Sequence, residues 1–180
     1  LNTYLILQKG DDVYFIDQHA AHERLIYDRL CQEYENKTLA VQTMLVPIYV
    51  NVNPLEFDMI NAKIDYIRQL GFDIDSDLNG NFFITAMPTL LSDIDFKTFF
   101  DDVVGDNAMK KEDTPQIIKE QLMQKACKSA IKAGYNLSQS EIDSLIKMLN
   151  GNLGLRCPHG RPIACRITRT EIDKWFKRIV

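Results

Sequence analysis

The 180-residue sequence predicts a mixed α/β (α+β) chain of two subdomains, and three observations carry that reading. Two short β-rich pairs, each joined by turn chemistry, stand far apart in the sequence. Helical spacing dominates between and after them, and the chain returns to an extended segment near its end. An outer mixed α/β subdomain is therefore expected from residues 1–43 with 137–180, its first hairpin, first helix and final strand in one layer. Residues 44–136 form an inserted, mostly helical subdomain with its own hairpin. At 46% hydrophobic and 26% charged residues, the chain has enough apolar material for a sizeable core.

The elements follow in order. Leu5–Leu7 and Val13–Ile16 flank Lys9-Gly10-Asp11-Asp12, a hairpin signature. From Gln18 to about Tyr34, Ala21, Leu25 and Cys31 alternate with Arg24, Arg29, Gln32 and Glu33 at helical spacing, so Asp17 stands at a strand-to-helix junction. Met44 to Val52 is apolar and β-branched but interrupted by Pro47, which suits an edge strand. Asn53-Pro54 starts a helix that should run to Leu70 and stop at Gly71. Phe72–Asp75 and Asn81–Thr85 flank Asn79-Gly80, which predicts a second hairpin. Helices are expected over 95–104, 115–133 and 138–149, the first two separated by a linker at 105–114, and Gly151 and Gly154 end the helical run. A loop at 157–162, an extended 163–168 and a short helix from Glu171 complete the chain.

Several function classes drop out. No apolar run approaches the roughly 18 residues of a membrane span, and no charged-then-apolar leader opens the chain. Cys31, Cys127, Cys157 and Cys165 are too sparse for a disulfide scaffold, so reduced thiols in the cytoplasm are expected. Leu1 without an initiator Met reads as the start of a fragment of a longer polypeptide. Charge is unevenly placed: residues 1–113 carry 9 Lys+Arg against 20 Asp+Glu, residues 114–180 carry 12 against 5. Any phosphate-facing surface should lie in the C-terminal third, the plain alternative being that acidic and basic segments complement each other within the fold.

Three segments concentrate metal-ligating residue types. In Asp17-Gln18-His19-Ala20-Ala21-His22-Glu23, His19 and Glu23 are four apart and share a helix face, and Asp17 can reach the same point from the strand end. His22 is off that row and reads as a surface or supporting residue. Asp28 is five residues past Glu23, about 140° further round a helix, and is poorly placed to join. Cys127, in Ala126-Cys127-Lys128, is by itself a small buried hydrophobe. Cys157-Pro158-His159-Gly160-Arg161-Pro162 presents a thiolate and an imidazole two residues apart, a donor pair that suits zinc. Asp17, His19, Glu23, Cys127, Cys157 and His159 together supply six ligands, enough for one closed site or two metals sharing a carboxylate.

Taken together, Asp17-Gln18-His19-Ala20 with Glu23, Ala126-Cys127-Lys128 and Cys157-Pro158-His159-Gly160-Arg161-Pro162 resemble, in order and separation, the metal-site motifs of the C-terminal domain of endonucleolytic MutL-family mismatch repair proteins. The family pattern has a second Glu where this chain has Asp28. The resemblance implies a latent, Mn2+-stimulated nicking of duplex DNA, zinc-type ligation, and homodimerisation through the outer subdomain with regulation by the insert. The helix from 18 to 34 would bridge the two, with the site at their junction. Asp17 and Glu23 would be catalytic, as hard donors favouring Mn2+, while Cys127, Cys157 and His159 hold Zn2+. Lys128 and Arg161 are candidates for DNA phosphate contact, their alternative roles being a solvated helix face and a loop-fixing hydrogen bond.

Gln42-Thr43-Met44-Leu45-Val46-Pro47 looks like the linear motif by which bacterial partners dock on the processivity sliding clamp, with Gln42, Met44, Leu45 and Pro47 as contacts; its plain alternative is a strand entering a core. A mismatch recognition protein would be met through the full-length protein, and ATP only in an N-terminal region outside this sequence, since no Gly-rich phosphate loop occurs here. A nucleoid-associated cytoplasmic location follows from the same resemblance. Two other classes compete. One is a non-catalytic, zinc-stabilised dimerisation and clamp-docking module. The other is a helix-turn-helix reader built from the helices between 95 and 150, which Asp93, Asp95, Asp101, Asp102 and Asp106 disfavour.

Overall fold

The computed structural model describes residues 3–105, 115–130, 137–149 and 155–179. Among these are seven α-helices and two three-stranded antiparallel sheets, a mixed α/β chain. The chain divides into two compact units, Leu1–Leu25 with Lys132–Val180 and Ile26–Ile131. The divisions thus fall at 25/26 and 131/132 rather than at 43/44 and 136/137. The first lies inside a continuous helix because its two halves serve different cores: Ala20 and Ala21 are buried in the first unit's cluster, Leu30 in the second's.

In the first unit, β1 (Tyr4–Lys9) and β2 (Asp12–Asp17) form the expected hairpin, with Gly10 at φ 63° in the turn. β6 (Ala164–Ile167) adds to β2, giving the order β1-β2-β6. Helix α1 (Gln18–Glu35) starts directly after β2, and Asp17 Oδ1 accepts from the amides of His19 (2.9 Å) and Ala20 (3.1 Å). That is N-cap chemistry, since the first amides of a helix lack partners in the helix itself. The buried Gln18 side chain accepts from the Leu137 amide at 3.1 Å, just before α6 (Gln139–Leu149). Ile16, Leu145, Ile163 and Ala164 complete a small core. Helix α7 (Arg169–Trp175) starts two residues before the expected Glu171, because Thr168 is the N-cap and Glu171 closes a capping box from the third helical position. Gly151 and Gly154 lie outside the described residues.

The second unit holds β3 (Val41–Val50), β4 (Asp73–Ser76) and β5 (Phe82–Pro88) in the order β3-β5-β4. β3 is an edge strand, and its register with β5 shifts between Thr43 and Ile48, around Pro47, where a missing amide is tolerated. The helix expected over 54–70 is two helices, α2 (Pro54–Asn61) and α3 (Ile64–Gln69). Lys63 leaves the helical region at φ −114°, ψ 3°, its amide bonds to the Ile60 carbonyl, and its ammonium donates to the Val103 carbonyl at 3.0 Å. Gly71 follows at φ 91°, where a Cβ would stand 2.7 Å from Leu39 Cδ2, so a side chain is excluded on both counts. A 3₁₀ turn at Thr89–Leu91 leads to α4 (Phe96–Gly105), capped by Asp95, and α5 covers Pro115–Ala130; the remainder of the expected 105–114 linker and 131–133 helix end lie outside the described residues. Aromatic rings fill this core, with Phe57 stacked on Phe82 at 4.9 Å and Phe72 on Phe99 at 5.9 Å. Among the described residues no helix is long and apolar enough to cross a membrane.

Candidate metal centre

Two segments of the first unit build the site. Helical spacing in α1 sets His19 and Glu23 on one face, with His19 Nε2 3.2 Å from Glu23 Oε1. The 155–163 loop then folds tightly: the Cys157 amide donates to the Arg161 carbonyl, the Gly160 amide to the Cys157 carbonyl, both at 2.9 Å, and Gly160 turns at φ 82°. Arg156 Nη1 donates to the Gly160 carbonyl at 2.7 Å, and Arg24 Nη1 to the Arg156 carbonyl at 3.3 Å. This directs three side chains at Glu23. His159 Nδ1 lies 3.2 Å from Glu23 Oε2, Arg161 Nη2 donates to Oε1 at 2.8 Å, and the ligand atoms of Glu23, Cys157 and His159 all lie within 4.8 Å of one another.

Glu23 is fully buried. Burial alone would raise its pKa, but hydrogen bonds from His159 and Cys157, then the charges of His159 and Arg161, outweigh it and hold the carboxyl below its ordinary value. An anionic oxygen, a sulfur and an imidazole nitrogen therefore converge in one place. That mixture of donors fits zinc or a comparable transition metal rather than calcium or magnesium.

The other predicted residues fall as follows. Asp17 uses Oδ1 to cap α1 and is not one of the three converging ligands, although its charge acts on Arg161. Cys127 is buried in the second unit's core cluster. Lys128 Nζ is held by Asp102 in that unit, at 2.8 and 3.1 Å from the two carboxylate oxygens. Arg161 holds Glu23 and keeps its side chain half exposed. His22, read as a surface or supporting residue, is not on the surface: it is buried, 3.6 Å from Glu141 Oε1, and burial pushes its pKa down. Asp28 belongs to the second unit. On β3, Gln42 pairs with Met87 and Met44 packs partly against the core, whereas Leu45 projects fully and Val46 largely into solvent at the register shift next to the half-buried Pro47. The roles of Arg24 and Arg156 in fixing the loop escaped the sequence reading, because a side chain that bonds to a backbone carbonyl leaves no residue-type signal.

A mixed α/β chain whose helix-borne carboxylate meets a Cys-Pro-His-Gly-Arg-Pro loop falls in the class of candidate metalloproteins with an S, N and O donor set. Comparison with known proteins narrows the class. The family model of the MutL C terminal dimerisation domain matches residues 1–137. DNA mismatch repair protein MutL of Clostridium botulinum is 34% identical over 99% of the chain, that of Thermoanaerobacter pseudethanolicus 34% over 99%, and that of Agathobacter rectalis 35% over 99%. This chain belongs to the MutL family, in its C-terminal dimerisation domain. It spans 27%, 29% and 28% of the length of those three relatives.

Proposed function

We propose that this chain is a metal-dependent endonuclease domain that nicks duplex DNA in mismatch repair and joins two copies of the protein. The observation that carries the reading is the buried, anionic Glu23 with Cys157 and His159 converging on it. Cys157, His159 and Glu23 would hold Zn2+; Asp17, His19 and Glu23 would hold Mn2+. A bound cation of this kind supplies hydroxide from water near neutral pH and neutralises charge developing on phosphate oxygens. The chain's own residues do the remaining work. Hydrogen bonds from His159 and Cys157, then the charges of His159 and Arg161, keep Glu23 ionised, and the half-exposed Arg161 guanidinium has further donors for a DNA phosphate. Lys128, engaged by Asp102, would have to exchange that partner to do the same.

Dimerisation is assigned to the first unit and regulation to the second. On the first unit's sheet, Ile6, Phe15 and Cys165 are cross-strand partners and so share one face, on which Ile6 and Cys165 are exposed. A second copy covering this face would remove an apolar row from water. The exposed Leu45 and Val46 favour docking of β3 on the sliding clamp through Gln42, Met44, Leu45 and Pro47.

The test is nicking of supercoiled plasmid with Mn2+, with EDTA as control, by the longer polypeptide with clamp added. Nicking by wild type and loss of it in Asp17→Asn, with dimer mass unchanged, supports the reading; equal nicking by both removes Asp17 from the site. The non-catalytic zinc-stabilised module remains the second reading, favoured by Asp17 capping a helix and by Arg161 already neutralising Glu23. It takes over if wild type binds zinc and dimerises but does not nick. For the clamp, Gln42→Ala with Leu45→Ala should weaken binding in a pull-down at least about tenfold and leave zinc content unchanged.

A further inference from the structure

The chain ends in an aromatic and cationic surface that the metal centre does not use. Trp175 and Phe176 are 66% and 70% exposed, and Lys174, Lys177 and Arg178 interleave with them. The backbone there is fixed rather than trailing: Lys177 sits at φ 54°, its amide bonds to the Lys174 carbonyl at 3.0 Å, and the Arg178 amide to the Asp173 carbonyl at 2.9 Å. These two bonds close α7 as a Schellman motif, so the rings are presented from an ordered helix end. Among the described residues, no ion pair engages Lys174 or Lys177, and Arg178 is held only loosely, 3.9 Å from Asp173 with its guanidinium 5.9 Å from the Phe176 ring centre.

We propose that this end of the chain is a platform for single-stranded DNA, with Trp175 and Phe176 stacking on unpaired bases and Lys174, Lys177 and Arg178 holding the adjoining phosphates. Large rings left in water beside cations match a ligand that offers flat apolar faces and negative charge together. Single-stranded DNA does so, whereas in intact duplex each base face is already covered by its neighbour. Charge decides against a second copy as the occupant, because a symmetric contact here would bring two cationic patches together. The placement also agrees with the basic excess of residues 114–180 in a chain whose net charge is −4. The inference uses the family assignment but does not require nicking, and its test needs no manganese.

Trp175 is the single tryptophan of the sequence, so its fluorescence reports on the platform directly. The full chain is titrated with a thymidine oligonucleotide of about 20 nucleotides, long enough to span one such site. Saturable quenching is expected, weakening steeply as salt rises from about 50 to 200 mM. Lys174→Gln with Lys177→Gln should weaken it at least about tenfold, as should Phe176→Ala, while Phe176→Tyr retains it and zinc content and dimer mass stay at wild-type values. An emission unmoved by saturating oligonucleotide overturns the proposal. So does quenching equal in wild type and the double lysine variant, an emission shift that follows protein concentration alone, or one produced by phosphatidylserine vesicles and not by the oligonucleotide.

Discussion

The two units solve burial in opposite ways. The second fills its core with rings, Phe72, Phe82, Phe96, Phe99 and Phe100, and Cys127 sits among them as one more apolar group. The first packs aliphatic side chains, Ile16, Leu145 and Ile163, with the small Ala20, Ala21, Cys157 and Ala164 beside a fully buried carboxylate. Small residues let the loop backbone come near enough to α1 for three side chains to reach Glu23. The unit that carries the charge therefore adds an ion-pair network to its aliphatic core. Stability and chemistry are drawn from different residues in the second unit and from the same ones in the first.

That contrast can be broken by mutation. Phe99→Ala in the aromatic core should cost about 3–5 kcal/mol, read from urea denaturation, with the loss independent of pH. Glu23→Ala should cost about 3 kcal/mol near neutral pH, since it strips the shared partner from His19, His159 and Arg161, and partial exposure of those groups keeps the loss at the low end for a buried network. This second loss should depend on pH. The folded Glu23 carboxyl lies below its ordinary value of 4.5, so its contribution is complete above that value and disappears as pH falls through the lower, folded one. Denaturation midpoints of wild type and Glu23→Ala should converge in acid while those of wild type and Phe99→Ala stay apart. Equal pH profiles for the two variants would sink the contrast. The smallest expected effect is a gain: Lys37 ends α1 at φ 56° in a Schellman motif, and Lys37→Gly should raise stability by up to about 1 kcal/mol.

Both hairpins were legible because their turns use residues that tolerate unusual backbone angles, and Asn53 announced α2 because Asn is a strong N-cap. The break after Asn61 was hidden, since Ala62 and Lys63 are good helix formers and a tertiary bond from Lys63 to Val103 accompanies it. The unit boundary inside α1 was hidden for a related reason: the helical periodicity runs on unbroken while the core it addresses changes. At the site, the spacing of His19 and Glu23 and of Cys157 and His159 gave the pieces. Asp17 carried a second signal that the metal reading outweighed, because an Asp at the first turn of a helix is a cap by default. The grip of Arg161 on Glu23 was not readable, for nothing local in either segment names a partner 138 residues away.

Because the first unit is assembled from segments on either side of the second, its parts emerge from the ribosome far apart in time. The β1–β2 hairpin is made well before β6, and Phe15 must wait for Cys165 before its strand has a second neighbour. During that interval the second unit has all of its residues and can fold, while the free edge of β2 stands open to wrong pairings. Glu23 leaves the ribosome 136 residues before His159 and 138 before Arg161, and acquires its cysteine, histidine and arginine only after that interval. A chain stalled before residue 157 would carry the helix and the carboxylate but none of the site's loop.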